Sequence, residues 1–450
     1  MTEREFGALP VRTVFAHLAI PNILSMLSTS LYTMADGVFV GQSIGADALA
    51  AVNLVMPILN IIFALSDMIA IGASVKVSAL MGAGDIQRAR HLFSAGILMC
   101  VGTGFFFLAA GVFFLKPLLY ALIDDPVLAD LACRYTLPFV YGFPFIMPLF
   151  ALDNFMRASG KANYSMSVNV IVSLSNIALD WLLIRVLGLG IEFSSGASVA
   201  CMTVGCVFSF MPFIRKKVTL RFTSPVITWK EAVGIVYNGS SEFFANIAGA
   251  LMAVVVNGIL LTLGSHIAVA SYGIIMYIDT LLVSVSYAVT DAMMPVISYN
   301  AGAGNMRRAN AFYKLCGKVA ATVSLFSLAI ILLFPSELAA LFAKNKDAAL
   351  IRLTTAAFLL YGPNYLFKWF NLVTSDFMTA LDKPKESLVI MITQSVLFPI
   401  IGFVVLTPFF GINGVFFTGT LASGLTFLVA IFIRKHVAKT MRPAQICKAS

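Results

Sequence analysis

The chain is 450 residues long, 60% hydrophobic and only 11% charged, with 30 Lys and Arg against 21 Asp and Glu for a formal net charge of +9. A soluble domain carries about 25% charged residues, so this composition excludes a soluble globular enzyme. Apolar stretches of about 20 residues recur along the whole length, the mark of a polytopic helical membrane protein, and they are too long for the alternating strands of a barrel.

The opening MTEREFGALPVRTV mixes charges and lacks a small-residue cleavage site, so residues 1–13 are expected to be a cytoplasmic tail before a retained first span. Twelve spans follow, at roughly 14–40, 48–75, 92–115, 134–156, 164–186, 196–214, 232–262, 268–298, 313–335, 351–378, 386–408 and 413–433. Residues 215–231, including RKKVTLRFTSPVITWK, read as a basic cytoplasmic linker suited to touching anionic lipid; residues 434–450 read as a cytoplasmic C-terminal tail. With the N-terminus inside, only Lys116, Arg134, Arg185, Lys344, Lys346 and Arg352 fall outside, and only Lys76 and Lys368 fall within spans. This charge bias is the positive-inside rule. It accounts for the net charge without nucleic acid and places both termini in the cytoplasm. The six cysteines (Cys100, Cys133, Cys201, Cys206, Cys316, Cys447) have no metal-type spacing and read as packing residues.

The two halves resemble each other. MGAGDIQRA at Met81 parallels AGAGNMRRA at Ala301, FMRASGK at Phe155 parallels FMTALDK at Phe377, and GADALAAVNL at Gly45 weakly parallels GSHIAVASYG at Gly264. Six spans per half make the repeat parallel, with residues 14–214 and 232–433 as two lobes. Transporters of this build bind substrate between or within lobes and alternate access.

An ionisable residue inside a membrane costs about 2.5–3.5 kcal/mol on insertion scales. Asp36, Asp67, Asp180, Glu242, Asp279, Asp291 and Asp376 all lie in spans, and Asp153 lies near a cytoplasmic end. Asp36 on span one and Asp180 on span five share a depth in the outer part of the bilayer. Asn176, four residues before Asp180, faces the same side of its helix, and Thr203 on span six lies near this level. These oxygens suit a sodium ion, and two neighbouring desolvated carboxylates can equally hold a proton. The competing reading is that Asp36 and Asp180 bond hydroxyls or backbone groups to fix packing. In the second half, Glu242 and Lys368 share a depth, which predicts an ion pair between them, or between Lys368 and Asp291 or Asp376. Asp279, mid-span, is expected to face a cavity and attract cationic substrate. Prolines 21, 57, 144, 148, 295 and 399 allow bends within spans.

The stretch from Asp36 through VGQSIGADALAAVNLVMPI, the element NIALDWLLI at 176–184 and PVISYNAGAGNMRRA at 295–309 together resemble the multidrug and toxic compound extrusion (MATE) family over nearly the whole chain. The resemblance implies an all-α fold of twelve helices in two six-helix lobes forming a V. It also implies antiport of organic cations against H+ or Na+, with no cofactor. By motif, Asp36, Asn176 and Asp180 fall on the family's N-lobe cation site, Thr203 matches more loosely, and Glu242 resembles the span-seven acid of some members. The chain departs from the family pattern at Ser240 and Ser241, Asp291, Lys368 and Asp382. The expected setting is a monomer in a bacterial inner membrane, with a small amphipathic cation as substrate. A flippase for a lipid-linked substrate is the alternative within related architectures. Scattered histidines (His17, His91, His266, His436) and the lack of a Walker motif argue against a metalloenzyme or an ATP-driven pump.

Overall fold

The structure, a computed structural model, describes residues 1–263, 266–342 and 347–441. Gly264, where the weakest repeat match begins, Lys344, Lys346, Cys447 and most of the expected C-terminal tail lie outside the described residues. The helices are α1 (Glu5–Ala8), α2 (Val11–Phe39), α3 (Ala46–Ala83), α4 (Ile86–Leu122), α5 (Pro126–Ala158), α6 (Ala162–Asp180), α7 (Ile191–Ile214) and α8 (Trp229–Thr262). They continue as α9 (His266–Gly302), α10 (Met306–Leu333), α11 (Pro335–Phe342), α12 (Ala348–Tyr361), α13 (Tyr365–Ala380), α14 (Pro384–Ile392), α15 (Phe398–Phe410) and α16 (Ile412–Met441). No strand occurs among the described residues.

Among the described residues, eleven helical stretches are long and apolar enough to cross a membrane. The expected tenth span instead breaks into α12 and α13 around a 3₁₀ turn, Gly362–Asn364. Pro363 supplies no backbone N–H, so the ladder is interrupted there. Phe106, Phe113, Phe114, Phe409 and Phe432 are among the large apolar side chains left exposed, as lipid-facing residues must be. Most spans extend beyond their sequence-read limits; α3, for example, runs eight residues past residue 75, to Ala83.

Local chemistry explains the repeated turns. Gly84 ends α3 at φ 86°, and Asp85 caps α4 by accepting the Arg88 N–H at 3.1 Å. Gly304 (φ 76°) and Asn305, which accepts from Arg308 N at 3.1 Å, do the same between α9 and α10. A left-handed glycine followed by an Asx cap is a helix-stop, helix-start device. Gly160 (φ 74°) likewise follows α5, and Asp382 (φ 55°) holds the left-handed position after α13.

Two compact units emerge: Met1–Phe243 with Pro295–Asn310, and Phe244–Met294 with Ala311 onward. The division falls inside α8 and α9 rather than at the linker, because the first part of α8 and the end of α9 pack on α3. Backbones touch there: a Cβ on Gly72 would lie 2.0 Å from Ile235 O, and one on Gly302 would lie 1.9 Å from Ala79 O. Within this first unit α5 is the most buried span and packs against α3, α4 and α7. The N-terminal segment, expected as a tail, is built in. Phe6 is fully buried against Tyr299, and Arg308 Nε donates to Phe6 O at 2.8 Å. The second unit has its own cores, around Phe358, Tyr365 and Phe416 and around Val256 and Leu260.

Candidate functional site

Asp36 and Asp180 each sit just before a π-helical stretch, Val40–Ile44 and Trp181–Val186 respectively. Such widened turns are frequent at functional sites. The two carboxylates lie near enough to interact with each other, and both are buried, at 4% and 0% exposure. Ser194 Oγ donates to Asp36 Oδ1 at 2.5 Å and Tyr135 Oη donates to Asp36 Oδ2 at 3.4 Å. Asn176, oriented to satisfy its neighbours, donates to Asp180 Oδ2 at 3.0 Å and accepts from Ser198 Oγ at 2.8 Å. Asp180 Oδ1 has no hydrogen-bond donor. With the Asp36 carboxylate beside that of Asp180, the pair can share a proton or hold a cation between them.

The structure thus brings Asp36, Asn176 and Asp180 together. Thr203 is not among them: it makes no hydrogen bond to the cluster, and α7 supplies Ser194 and Ser198 instead. At 1.5 Å per residue, Thr203 lies about 13 Å along the helix from Ser194. Tyr135, Ser194 and Ser198 were not singled out by sequence, since no spacing rule links them to Asp36. A serine pair at i and i+4 on a span opposite an acid was the available signal.

A second buried polar group lies nearer the α5–α6 turn. Arg157, 5% exposed, donates to Asn22 Oδ1 at 2.6 Å and Asn154 Oδ1 at 2.9 Å and pairs with Asp153 at 3.3 Å. Asp153 also accepts from Asn169 at 3.0 Å and from Ser165. This network ties α2, α5 and α6.

In the second unit the pairing differs from the sequence expectation. Lys368 Nζ bonds Asp279 Oδ2 at 2.8 Å, and Tyr365 Oη donates to Asp279 Oδ1 at 2.8 Å. The partner of Lys368 is therefore Asp279, not Glu242, Asp291 or Asp376. The 3₁₀ turn before α13 resets the helix phase, so depth counted along an unbroken span misplaces Lys368. Asp279 does line a cavity, of about 290 Å³, together with Lys368, Tyr361, Asn371, Gln394 and Ser423. Its charge is matched by the lysine, which removes the expected free attraction for cations. Gln394 bridges Asn371 (2.6 Å) and Ser423 (2.7 Å) from the π-helical turn Thr393–Leu397. Pro399 follows that turn and removes one ladder donor. Asp376 is buried on α13, Asp291 is half-buried on α9, and half-buried Glu242 belongs to the first unit.

An internally repeated helical bundle of this length, with two buried carboxylates in contact, is the build of a multi-pass membrane transporter. The MatE family model matches residues 21–182 and again residues 243–404, displaced by the same spacing as FMRASGK and FMTALDK. The chain belongs to the MatE family, the multidrug and toxic compound extrusion transporters. It is 23% identical to the multidrug export protein MepA of Staphylococcus haemolyticus, over 93% of this chain and 92% of that one. It is also 23% identical to an FAD transporter of Shewanella oneidensis, over 86% of each. A solved MATE in the bent conformation superposes with a TM-score of 0.91 at 20% identity, covering 99% of both chains. A MOP superfamily transporter from Pyrococcus furiosus superposes at 0.89 with 21% identity, over 95% of this chain and 96% of that one. These superpositions show a shared fold.

Proposed function

We propose that the chain is a secondary active exporter that moves small molecules across the membrane by alternating access, driven by H+ or Na+ exchanged at Asp36, Asn176 and Asp180. One observation carries the reading. Asp180 Oδ1 is buried without a hydrogen-bond donor, and the Asp180 carboxylate interacts with that of Asp36; an intramembrane acid in that state is a functional site by default. A single proton or sodium ion between the two acids supplies the missing partner. Its departure leaves like charges in contact, so the local arrangement of α2 and α6 depends on ion occupancy. Residues 14–214 form the ion-coupled lobe and 232–433 its counterpart, with both termini cytoplasmic in a bacterial inner membrane. The protein works as a monomer without a cofactor.

The MepA relatives, multidrug export proteins, support a drug as cargo, and we take a small organic cation as its class. The FAD transporter, at equal identity, supports a second reading in which the cargo is an anionic nucleotide cofactor. The test is efflux from proteoliposomes of a fluorescent organic cation, and separately of FAD, under an imposed pH gradient or sodium gradient. Wild-type export under one gradient names the ion, and Asp36→Asn and Asp180→Asn are expected to lower it at least about tenfold. Export by folded Asp36→Asn at the wild-type rate would overturn the coupling role.

A further inference from the structure

Six cations converge on one hollow in the first unit. Arg4, Arg90, Lys161, Lys216, Lys217 and Arg221 line a cavity of about 350 Å³, with Glu3 as the only carboxylate among its lining residues. That carboxylate is engaged, since Thr219 Oγ1 donates to it. The hollow is assembled from four separate segments: the N-terminal residues, the start of α4, the turn between α5 and α6, and the linker after α7. Arg90 Nε holds the linker by donating to Thr219 O at 2.9 Å. Lys216 adopts a left-handed backbone at φ 55°, a conformation disfavoured for a residue with a Cβ. Ser159 lines the same hollow, is 2% exposed, and its Oγ has no hydrogen-bond partner.

Like charges gathered in a concave site repel one another. Where the walls exclude water they also focus field on whatever anion enters. A basic linker alone would read as a solvated face. The hollow opens to solvent, with Arg4, Lys216, Lys217 and Arg221 exposed, but the convergence of six cations from four segments and the orphaned buried hydroxyl point to an occupant that brings several acceptor oxygens. We propose that this hollow binds a phosphate group, with lysine and arginine side chains on its oxygens and the Ser159 hydroxyl donating to one of them. The group is carried either by an anionic phospholipid headgroup or by a soluble phosphorylated ligand. Both present the same chemistry to the hollow, and bound phosphate ties the linker to the α5–α6 turn. The site is separate from the Asp36–Asp180 pair, so it stands whether or not ion coupling resides there.

The test uses the purified full-length protein in neutral detergent. One arm measures pyrophosphate binding by calorimetry. The other measures retention of phosphatidylglycerol against phosphatidylcholine by native mass spectrometry. Lys216→Gln, Lys217→Gln and Arg221→Gln combined are expected to weaken the bound probe at least about tenfold. Arg307→Gln, Lys314→Gln and Lys318→Gln combined remove equal charge from α10 and are expected to leave it unchanged. Ser159→Ala is expected to weaken binding about fivefold. Loss confined to phosphatidylglycerol names the lipid as the source, and loss of pyrophosphate binding names a soluble ligand. Equal loss in both charge variants, wild-type binding in the linker variant, or no binding of either probe to the native protein each overturns the proposal. Amide exchange of the wild-type chain provides a check without any variant. Residues 216–221 should be protected by pyrophosphate or phosphatidylglycerol and not by phosphatidylcholine; protection by neither overturns the proposal.

Discussion

Replacing Gly72 with alanine tests whether the first unit is held by backbone contact between α3 and α8. A Cβ on Gly72 would stand 2.0 Å from Ile235 O and 2.9 Å from Ile235 C, where ordinary contact begins at 3.4 Å. The neighbour is main chain, so no side chain can swing aside, and the helices must part by more than 1 Å at the crossing. Overpacking of this kind costs about 1–3 kcal/mol, a fall of roughly five- to 150-fold in the population of the close-packed arrangement. The contact is reciprocal, because a Cβ on Gly239 would stand 1.9 Å from Met68 O. Once Gly72→Ala has separated the pair, adding Gly239→Ala should cost less than it does alone. Gly249, on the same helix α8, has nothing within 4 Å of its Cβ position. Gly249→Ala should therefore be neutral or slightly stabilising, since helix propensity favours alanine by up to about 1 kcal/mol. Thermal unfolding of the purified variants, with amide exchange over 68–76 and 235–243, reads both effects. If Gly72→Ala melts with Gly249→Ala and exchanges like wild type, the backbone crossing is refuted.

Removing the Ser194 hydroxyl (Ser194→Ala) takes one donor from Asp36 and should lower gradient-driven efflux several-fold, about 1 kcal/mol of orientation, while Thr203→Val should leave efflux at the wild-type rate. Lys368→Met strands the half-buried Asp279 carboxylate and should cost about 3 kcal/mol, whereas Lys368→Met with Asp279→Leu should recover most of it; melting temperatures of the three proteins decide this. Arg157→Met removes the guanidinium that bonds Asn22 and pairs with Asp153 and should cost about 1–3 kcal/mol, read as an early loss of protection in α2 and α6 by amide exchange.

Spans, repeat and turns were legible because each rests on local chemistry. Apolar length defines a crossing, and a left-handed glycine with an Asx cap defines a reversal, so Gly84–Asp85 and Gly304–Asn305 could be paired from sequence. Asp36, Asn176 and Asp180 could be grouped because depth along a helix is countable and Asn176 and Asp180 are one turn apart. Azimuth is not countable across helices. Ser194 and Tyr135 reach Asp36 only because α5 and α7 present those faces to it, which packing decides. The same limit governs Lys368: its pairing with Asp279 follows from a broken helix, and Gly-Pro at 362–363 signals the break without giving the rotation across it. Phe6 shows the limit at the terminus, where one buried aromatic and three carbonyl contacts hold a segment too short to register as periodic.

The two halves share the repeat while their buried charges differ. At the spacing of the repeats, Asp279 corresponds to the neighbourhood of Leu59 and Lys368 to that of Ile146, both fully buried in one apolar cluster of the first unit. Carried forward by the same spacing, Asp180 corresponds to the neighbourhood of Gly402, in an apolar part of α15. Neither half reproduces the other's ionic group. An acid pair with an orphaned oxygen changes net charge when an ion arrives, and so can answer a gradient. An acid–lysine pair closed by Tyr365 is already neutral and holds its geometry at either ion occupancy. On the proposed function, this asymmetry leads to the expectation of ion response in the first unit and a fixed polar cavity in the second. A variant that neutralises Asp279 and Lys368 together should alter which substrates are carried while leaving the driving ion unchanged. Swapping the two effects, with altered ion dependence and unaltered substrate range in the efflux assay, would reverse that assignment.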